Sequence, residues 1–127
     1  MVCEAFASIA FSIMRRNTMT SNNRNDDALT QLYLCLRLCE QCAAECIEQG
    51  SASLANCIKL CLACADSCRL CIKAMSYGLN NSNDICQTCA QLCEDCAAEC
   101  EKGEGDLMQR CAEACRKCAE MCRQMAA

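Results

Sequence analysis

The chain has 127 residues, of which 19 are cysteine, with 12 Lys plus Arg against 16 Asp plus Glu and no His, Pro or Trp. That length supports one domain with one core, and the missing histidine excludes a histidine general base, a Ser-His or Cys-His catalytic pair and a Cys/His zinc finger. A formal charge of -4 with two Tyr and two Phe argues against nucleic-acid binding, which needs a basic face and stacking aromatics.

Residues 1–16 hold an apolar run (Val2, Phe6, Ile9, Phe11, Ile13, Met14) with Glu4 inside it and Arg15 and Arg16 closing it. A secretory signal carries its positive charge ahead of the apolar run, and a spanning helix needs about 20 apolar residues. The run therefore reads as neither an export signal nor a membrane span. It reads as a short helical arm, packed or frayed, or lying on a membrane surface or on the bundle. Residues 17–27 are polar and turn-rich, a linker that ends in helix-capping residues, and Met19 offers an alternative start. The expected organisation is an arm and linker over 1–26 and one domain over 27–127.

Four glycines and no proline make long helices the expected elements of that domain. Four cysteine clusters are separated by breaks at 49–53, 77–84 and 102–105, where Gly, Ser, Asn and Asp supply caps and turns. Helices are expected near 27–48, 53–77, 83–102 and 105–125, and short loops make neighbours antiparallel. The fold class is all-α, an antiparallel up-and-down four-helix bundle with a short N-terminal helical arm.

The clusters are Cys35, Cys39, Cys42 and Cys46; Cys57, Cys61, Cys64, Cys68 and Cys71; Cys86, Cys89, Cys93, Cys96 and Cys100; and Cys111, Cys115, Cys118 and Cys122. Their gaps run 4-3-4, 4-3-4-3, 3-4-3-4 and 4-3-4, the a/d seam of a heptad helix. Eighteen thiols are thus directed into one core, and only Cys3 lies outside the pattern. Alanines such as Ala43, Ala65, Ala90, Ala97, Ala112 and Ala119 flank the seam, while Glu40, Glu45, Lys59, Arg69, Lys73, Asp95 and Glu99 fit the solvent face.

Cysteine packs as a small hydrophobe, but a purely structural core gains nothing from choosing it eighteen times. The volume lost relative to Leu costs roughly 1 kcal/mol or more per site that cannot collapse. A disulfide lattice fits poorly, since same-face neighbours on one helix hold their Cβ atoms about 5 to 6 Å apart, beyond the usual disulfide span of about 3.5 to 4.5 Å. The odd thiol total and the missing export signal lead to the expectation of a reducing, cytoplasmic compartment.

A column of reduced thiols suits soft metals. Thiolate-only ligation selects Cu(I), Zn(II) or iron-sulfur clusters and removes Mg, Ca, Mn and oxygenase-type iron. One or two closed zinc sites would use at most about eight thiols, and the ferredoxin-type C-x2-C-x2-C-x3-C-P run does not occur. Cu(I) accepts two or three sulfurs, so the pairs Cys35/Cys39, Cys42/Cys46, Cys57/Cys61, Cys64/Cys68, Cys89/Cys93, Cys96/Cys100, Cys111/Cys115 and Cys118/Cys122, with neighbours across the core, can hold many ions side by side. Each Cu(I) adds one positive charge and displaces one thiol proton, which leaves a heavily loaded interior almost neutral. Met108, Met75 and Met125 extend the seams beyond their last thiols and are candidate copper ligands at the core's mouths, or end-of-core packing.

Stretches such as Cys57-Ile-Lys-Leu-Cys-Leu-Ala-Cys-Ala-Asp-Ser-Cys68 and Cys111-Ala-Glu-Ala-Cys-Arg-Lys-Cys-Ala-Glu-Met-Cys122 resemble the bacterial copper storage proteins, particularly their cytosolic branch, over about residues 28–125. The resemblance implies a bundle whose inward thiolates store many Cu(I) ions, commonly assembled as a tetramer, with the seam cysteines at ligand positions. Three departures stand out. Where the cytosolic members usually carry His, between the third and fourth helices, this chain reads Glu101-Lys-Gly-Glu-Gly-Asp-Leu-Met108. Cys61 stands where relatives often have Asn or Asp, and the apolar arm with Cys3 has no counterpart in the pattern.

The expected function is therefore non-enzymatic Cu(I) storage that protects the cytosol from free copper. Two alternatives stay open. A thiol redox buffer is suggested by the recurring Cys-x-x-Cys, although a redox pair needs an exposed thiol of low pKa. A zinc or cadmium thiolate store would share the chemistry, and copper should displace zinc from it.

Overall fold

Thiols at alternating three- and four-residue spacing share one side of a helix, and each segment that carries this spacing is helical. In the computed structural model, which describes residues 23–126, the helices are α1 (Asn23–Gln49), α2 (Ala55–Tyr77), α3 (Ser82–Glu101) and α4 (Asp106–Ala126), with a 3-10 turn at Ala52–Leu54. The expected N-terminal arm lies outside the described residues. α1 is helical from the first described residue, Asn23, one turn ahead of the expected position 27. Polar residues read as linker continue the helix there, and Asp26 falls in the first turn, where a negative charge complements the positive end of the helix dipole.

The helix ends follow from local chemistry. α2 stops at Gly78, whose φ of 64° is the left-handed conformation that glycine adopts without a steric penalty, and the Leu79 amide then reaches back to the Ala74 carbonyl at 3.1 Å. Links of four or five residues at 50–54, 78–81 and 102–105 turn each helix back on the one before. The result is a ring: α1 packs on α2 and α4, and α3 packs on the same two helices from the far side. The expected up-and-down four-helix bundle is what forms.

Inside the ring the core is made of cysteine, small alanines at the helix contacts (Ala43, Ala65, Ala90, Ala97, Ala112, Ala119) and few larger side chains, chiefly Leu32, Leu38 and Ile72. Small residues at the contacts let the helices approach closely enough for four short cysteine side chains to meet. Ala44 and Ala98 are exposed. No charged or polar side chain is buried among the described residues. Gln31 Nε2 donates to the Ala114 carbonyl at 3.1 Å and ties α1 to α4. Exposed ion pairs mark the helix neighbours: Arg123 makes two 2.9 Å bonds to Glu94, Arg116 reaches Glu101 at 2.8 Å, and Arg69 bridges to Glu40. At such exposure they fix geometry more than they add stability.

Leu32 seals the end of the core that Met75 and Met125 also flank. Leu32→Ala is expected to lower the unfolding free energy of the reduced, metal-free protein by about 3 kcal/mol in a urea titration, the middle of the range for a buried leucine. A loss below about 1 kcal/mol would mean that this end is not packed as described.

Candidate metal centre

All eighteen seam cysteines are buried, and all are free thiols. α1 contributes Cys35, Cys39, Cys42 and Cys46; α2 contributes Cys57, Cys61, Cys64, Cys68 and Cys71; α3 contributes Cys86, Cys89, Cys93, Cys96 and Cys100; and α4 contributes Cys111, Cys115, Cys118 and Cys122. Because the four seams face a common axis, each sulfur meets sulfurs from other helices. Cys64 and Cys93 lie 3.5 Å apart, Cys39 and Cys115 3.6 Å, Cys61 and Cys96 3.6 Å, Cys35 and Cys115 3.7 Å, and Cys39 and Cys111 3.7 Å. Along single helices, the pairs Cys57/Cys61, Cys89/Cys93 and Cys96/Cys100 are each 4.0 Å apart.

These separations match shared metal ligation. With a metal–sulfur bond of about 2.3 Å, the sulfurs of a tetrahedral site stand about 3.8 Å apart and those of a trigonal site about 4.0 Å. Sulfurs that all lie within 4.8 Å of one another form the sets Cys35/Cys39/Cys64/Cys115, Cys35/Cys68/Cys93/Cys118, Cys39/Cys96/Cys111/Cys115, Cys42/Cys61/Cys100/Cys111 and Cys42/Cys46/Cys57. The sets overlap. Cys35, Cys39, Cys42, Cys111 and Cys115 each belong to two of them, so the groups join end to end along the bundle instead of standing as isolated sites. Toward the Met75 end, Cys68 and Cys89 lie 3.9 Å apart, and Cys71 and Cys86 approach to 3.2 Å.

The protonation of this interior is uneven. A buried thiolate is stabilised by neighbouring S–H donors, and each such anion makes the next neighbour harder to ionise. Cys64 is pulled below the ordinary thiol range by Cys115 and then Cys35, Cys89 by Cys118, and Cys111 by Cys100. Cys39 and Cys93 are pushed above it, the first chiefly by Cys111 and the second by Cys118. Burial followed by the charge of Cys100 raises Cys57 to about 12. A cation entering this lattice displaces thiol protons as it is ligated.

The methionines lie where the spacing put them. Met108 lines a small cavity of about 60 Å³ with Cys42, Cys46, Glu45, Glu104 and Asp106, at the end made by the 50–54 and 102–105 links. Met75 and Met125 pack half-buried against the opposite end. Two contacts were beyond sequence reasoning. A Cβ on Gly103 would meet the Met108 thioether, so glycine there leaves room for the methionine to lie over the loop. Ser67 donates its hydroxyl to the Cys64 carbonyl at 2.8 Å and lies 3.5 Å from Cys89 Sγ, a polar neighbour to a core thiol. The only sequence signal for either was position, between two seam cysteines for Ser67 and beside a seam methionine in a tight link for Gly103.

A ring of four helices enclosing a continuous file of reduced thiols defines a multi-site thiolate metal-binding bundle. Residues 19–127 match the family model of the copper storage proteins, and the chain belongs to that family. It is similar to the Cu(I)-bound copper storage protein BsCsp3, with a TM-score of 0.78 and 39% identity over 83% of this chain and 100% of that one. Apo-Csp3 from Bacillus subtilis gives 0.77 and 40% over 80% and 98% of the two chains. A protein from Nitrosospira multiformis gives 0.76 and 30% over 84% and 97%. The cysteine-rich protein YhjQ of Bacillus subtilis is 44% identical over 69 residues, which cover 54% of this chain and 64% of that protein's length. No helix among the described residues is long and apolar enough to cross a membrane.

Burial of every seam thiol has a direct chemical readout. Toward an aromatic disulfide reagent, the eighteen core thiols of the reduced native protein should react on the order of a hundredfold more slowly than in denaturant, since attack requires local opening. Fast reaction of more than a few thiols in the native state would contradict this burial.

Proposed function

We propose that this protein stores Cu(I) in bulk, with the eighteen seam cysteines as ligands, and performs no catalysis. The observation that carries the reading is the overlap of the thiol sets. Ligands shared between neighbouring sets make a file of sites with no natural stopping point, which suits capacity and not the single closed site of a structural metal. Monovalent copper also keeps the interior near neutrality, because each ion replaces one proton, whereas a divalent ion at similar loading would leave excess positive charge in a core without buried carboxylates.

Copper enters at the Met108 end. Glu45, Glu104 and Asp106 attract a cation to the small cavity, the Met108 thioether offers a soft neutral donor there, and Cys42 and Cys46 receive the ion. By the family resemblance, Met108 substitutes as entry ligand for the histidine that cytosolic members usually carry near this loop. The ion then advances by thiolate exchange from one overlapping set to the next. Met75 and Met125 close the far end, next to Leu32. A cytoplasmic location accords with the reduced thiols that ligation requires. Assembly into a homo-oligomer, a tetramer by family resemblance, accords with the exposed apolar Ile47 on α1 and Leu62 and Leu70 on α2.

An anaerobic titration of fully reduced protein against a colorimetric Cu(I) chelator tests the reading, with Zn(II) in parallel. Copper should be withheld from the chelator until roughly one equivalent per core thiol has been added, and it should displace bound zinc. Uptake that stops after a few ions while thiols remain free would overturn bulk storage and favour the redox or zinc alternatives. The triple variant Cys35→Ser, Cys39→Ser, Cys115→Ser, which removes ligands from three overlapping sets at once, should lower capacity by about three equivalents or more. Met108→Ala should leave the final capacity unchanged but slow uptake severalfold in stopped-flow mixing, and equal rates would remove Met108 from the route.

A further inference from the structure

The two ends of the thiol file differ. At the Met108 end the file opens beside an acidic cavity, whereas at the Met75 end the last thiol layer of α2 and α3 is the pair Cys71 and Cys86. Met75 and Ser82, both half-buried, hold the next seam positions outward. The two sulfurs stand 3.2 Å apart, the shortest thiol separation among the described residues; the next, Cys64 and Cys93 in the middle of the file, is 3.5 Å. A shared tetrahedral or trigonal ion holds two sulfurs about 3.8 to 4.0 Å apart, and a disulfide bond holds them about 2.05 Å apart. The pair lies between those two states.

We propose that Cys71 and Cys86 form an oxidant-sensitive disulfide site, with hydrogen peroxide as the oxidant, that ties α2 to α3 at the end of the file opposite the Met108 mouth. Two observations join the short separation. The first is place. The pair sits just before the end of α2 at Tyr77 and just after the start of α3 at Ser82, and residues 76–81 between them are all exposed. Helix ends beside an exposed link open at lower cost than helix centres, so the closure of about 1.2 Å that a disulfide needs is available there. The second is access. A cavity of about 170 Å³ lies on the outside of the α2–α3 contact, lined by Leu70 and Ile85, the residues immediately before the two cysteines, with Ser67, Asp84 and Thr88. Ser67 Oγ is 3.5 Å from Cys89 Sγ, so the cavity reaches the edge of the sulfur file. Peroxide fits such a space easily, since a water molecule takes about 30 Å³ of the liquid.

The reaction balances with these reactants alone. One sulfur of the pair, as thiolate, attacks a peroxide oxygen; an S–O bond forms, the O–O bond breaks, and the leaving hydroxide takes up the proton that the thiol lost. The other sulfur then attacks the sulfenic sulfur; the S–S bond forms, the S–O bond breaks, and a second water leaves with its proton. Two thiols together give up two electrons, and one peroxide is reduced to two waters. A dithiol reductant reverses the bond by exchange. An ion held by both sulfurs keeps them apart, so bridging and metal occupancy exclude each other at this layer. That consequence, unlike the bond itself, rests on the copper-storage reading.

The test adds one equivalent of hydrogen peroxide to the reduced, metal-free full chain in the presence of a metal chelator, blocks the remaining thiols by alkylation and digests with trypsin without reduction. Cleavage after Arg69, Lys73 and Lys102 puts Cys71 in peptide 70–73 and Cys86 in peptide 74–102, so a bond between them joins two masses and fragmentation assigns its sulfurs. The Cys71–Cys86 bond should form at least about threefold faster than any other cysteine pair, within one chain. Cys71→Ser should slow the first loss of thiols severalfold, and Cys64→Ser, in the middle of the file, should leave the Cys71–Cys86 bond as it is. The bridged chain should take up about two equivalents less Cu(I) than the reduced one, and treatment with dithiothreitol followed by its removal should restore them. A first bond at Cys64 and Cys93 or any other pair, a bond between chains, or oxidation spread evenly over the core would overturn the site. Unchanged copper capacity in the bridged chain would overturn its link to the store. A reduced chain that takes up only a few ions would overturn storage, whereas the mapped bond decides the disulfide site by itself.

Discussion

Sulfur atoms held 3.2 to 4.0 Å apart, close enough to share a metal yet unbonded to one another, are the arrangement on which the rest of the molecule depends. The alternation of three and four residues puts every thiol of a helix on one side, and the short links turn four such sides toward one axis. Alanine at the helix contacts then lets the backbones approach until short side chains touch across the core. Had leucine occupied the seam, the helices would stand farther apart and the core would be apolar and closed. Cysteine trades packing volume for ligand density, so the metal-free core is the weakly packed partner of a well-ligated one.

Metal and fold are linked by that trade. A ligand that binds the folded chain and not the unfolded one stabilises it in proportion to the logarithm of its free concentration over its dissociation constant. For a core whose interior is almost entirely ligand, loading adds bonds where dispersion contacts are sparse. The larger side chains gather at Leu32, Leu38 and Ile72, where they hold the bundle without occupying the sulfur file. The exposed pairs Arg123–Glu94 and Arg116–Glu101 keep α3 and α4 in register from outside, where copper chemistry does not reach them.

The seam was fully legible in the sequence, because heptad spacing depends only on residue order: all eighteen cysteines are buried on the inner faces. The same holds for the breaks, where glycine and asparagine mark the links, and for the placement of Met108, Met75 and Met125 at the two ends. What spacing could not supply was lateral register. Which thiols of different helices meet, as Cys39 with Cys115 or Cys71 with Cys86, depends on how far each helix slides against its neighbour. The seat of Met108 on Gly103 depends on the path of a loop, and the approach of Ser67 to Cys89 on the rotation of α2 against α3. The helical conformation of 23–26 escaped for a different reason, since capping residues are tolerated inside a helical turn as well as ahead of it.

The most direct test of a continuous thiolate store is anomalous diffraction at the copper absorption edge from crystals of the Cu(I)-loaded full chain. Storage along the overlapping sets predicts a row of copper peaks running the length of the core between the four helices, each within bonding distance of two or more seam sulfurs, from Cys46 and Cys57 at one end to Cys71 and Cys86 at the other. One or two isolated peaks, or copper confined to the Met108 mouth with the central sulfurs bare, would contradict it.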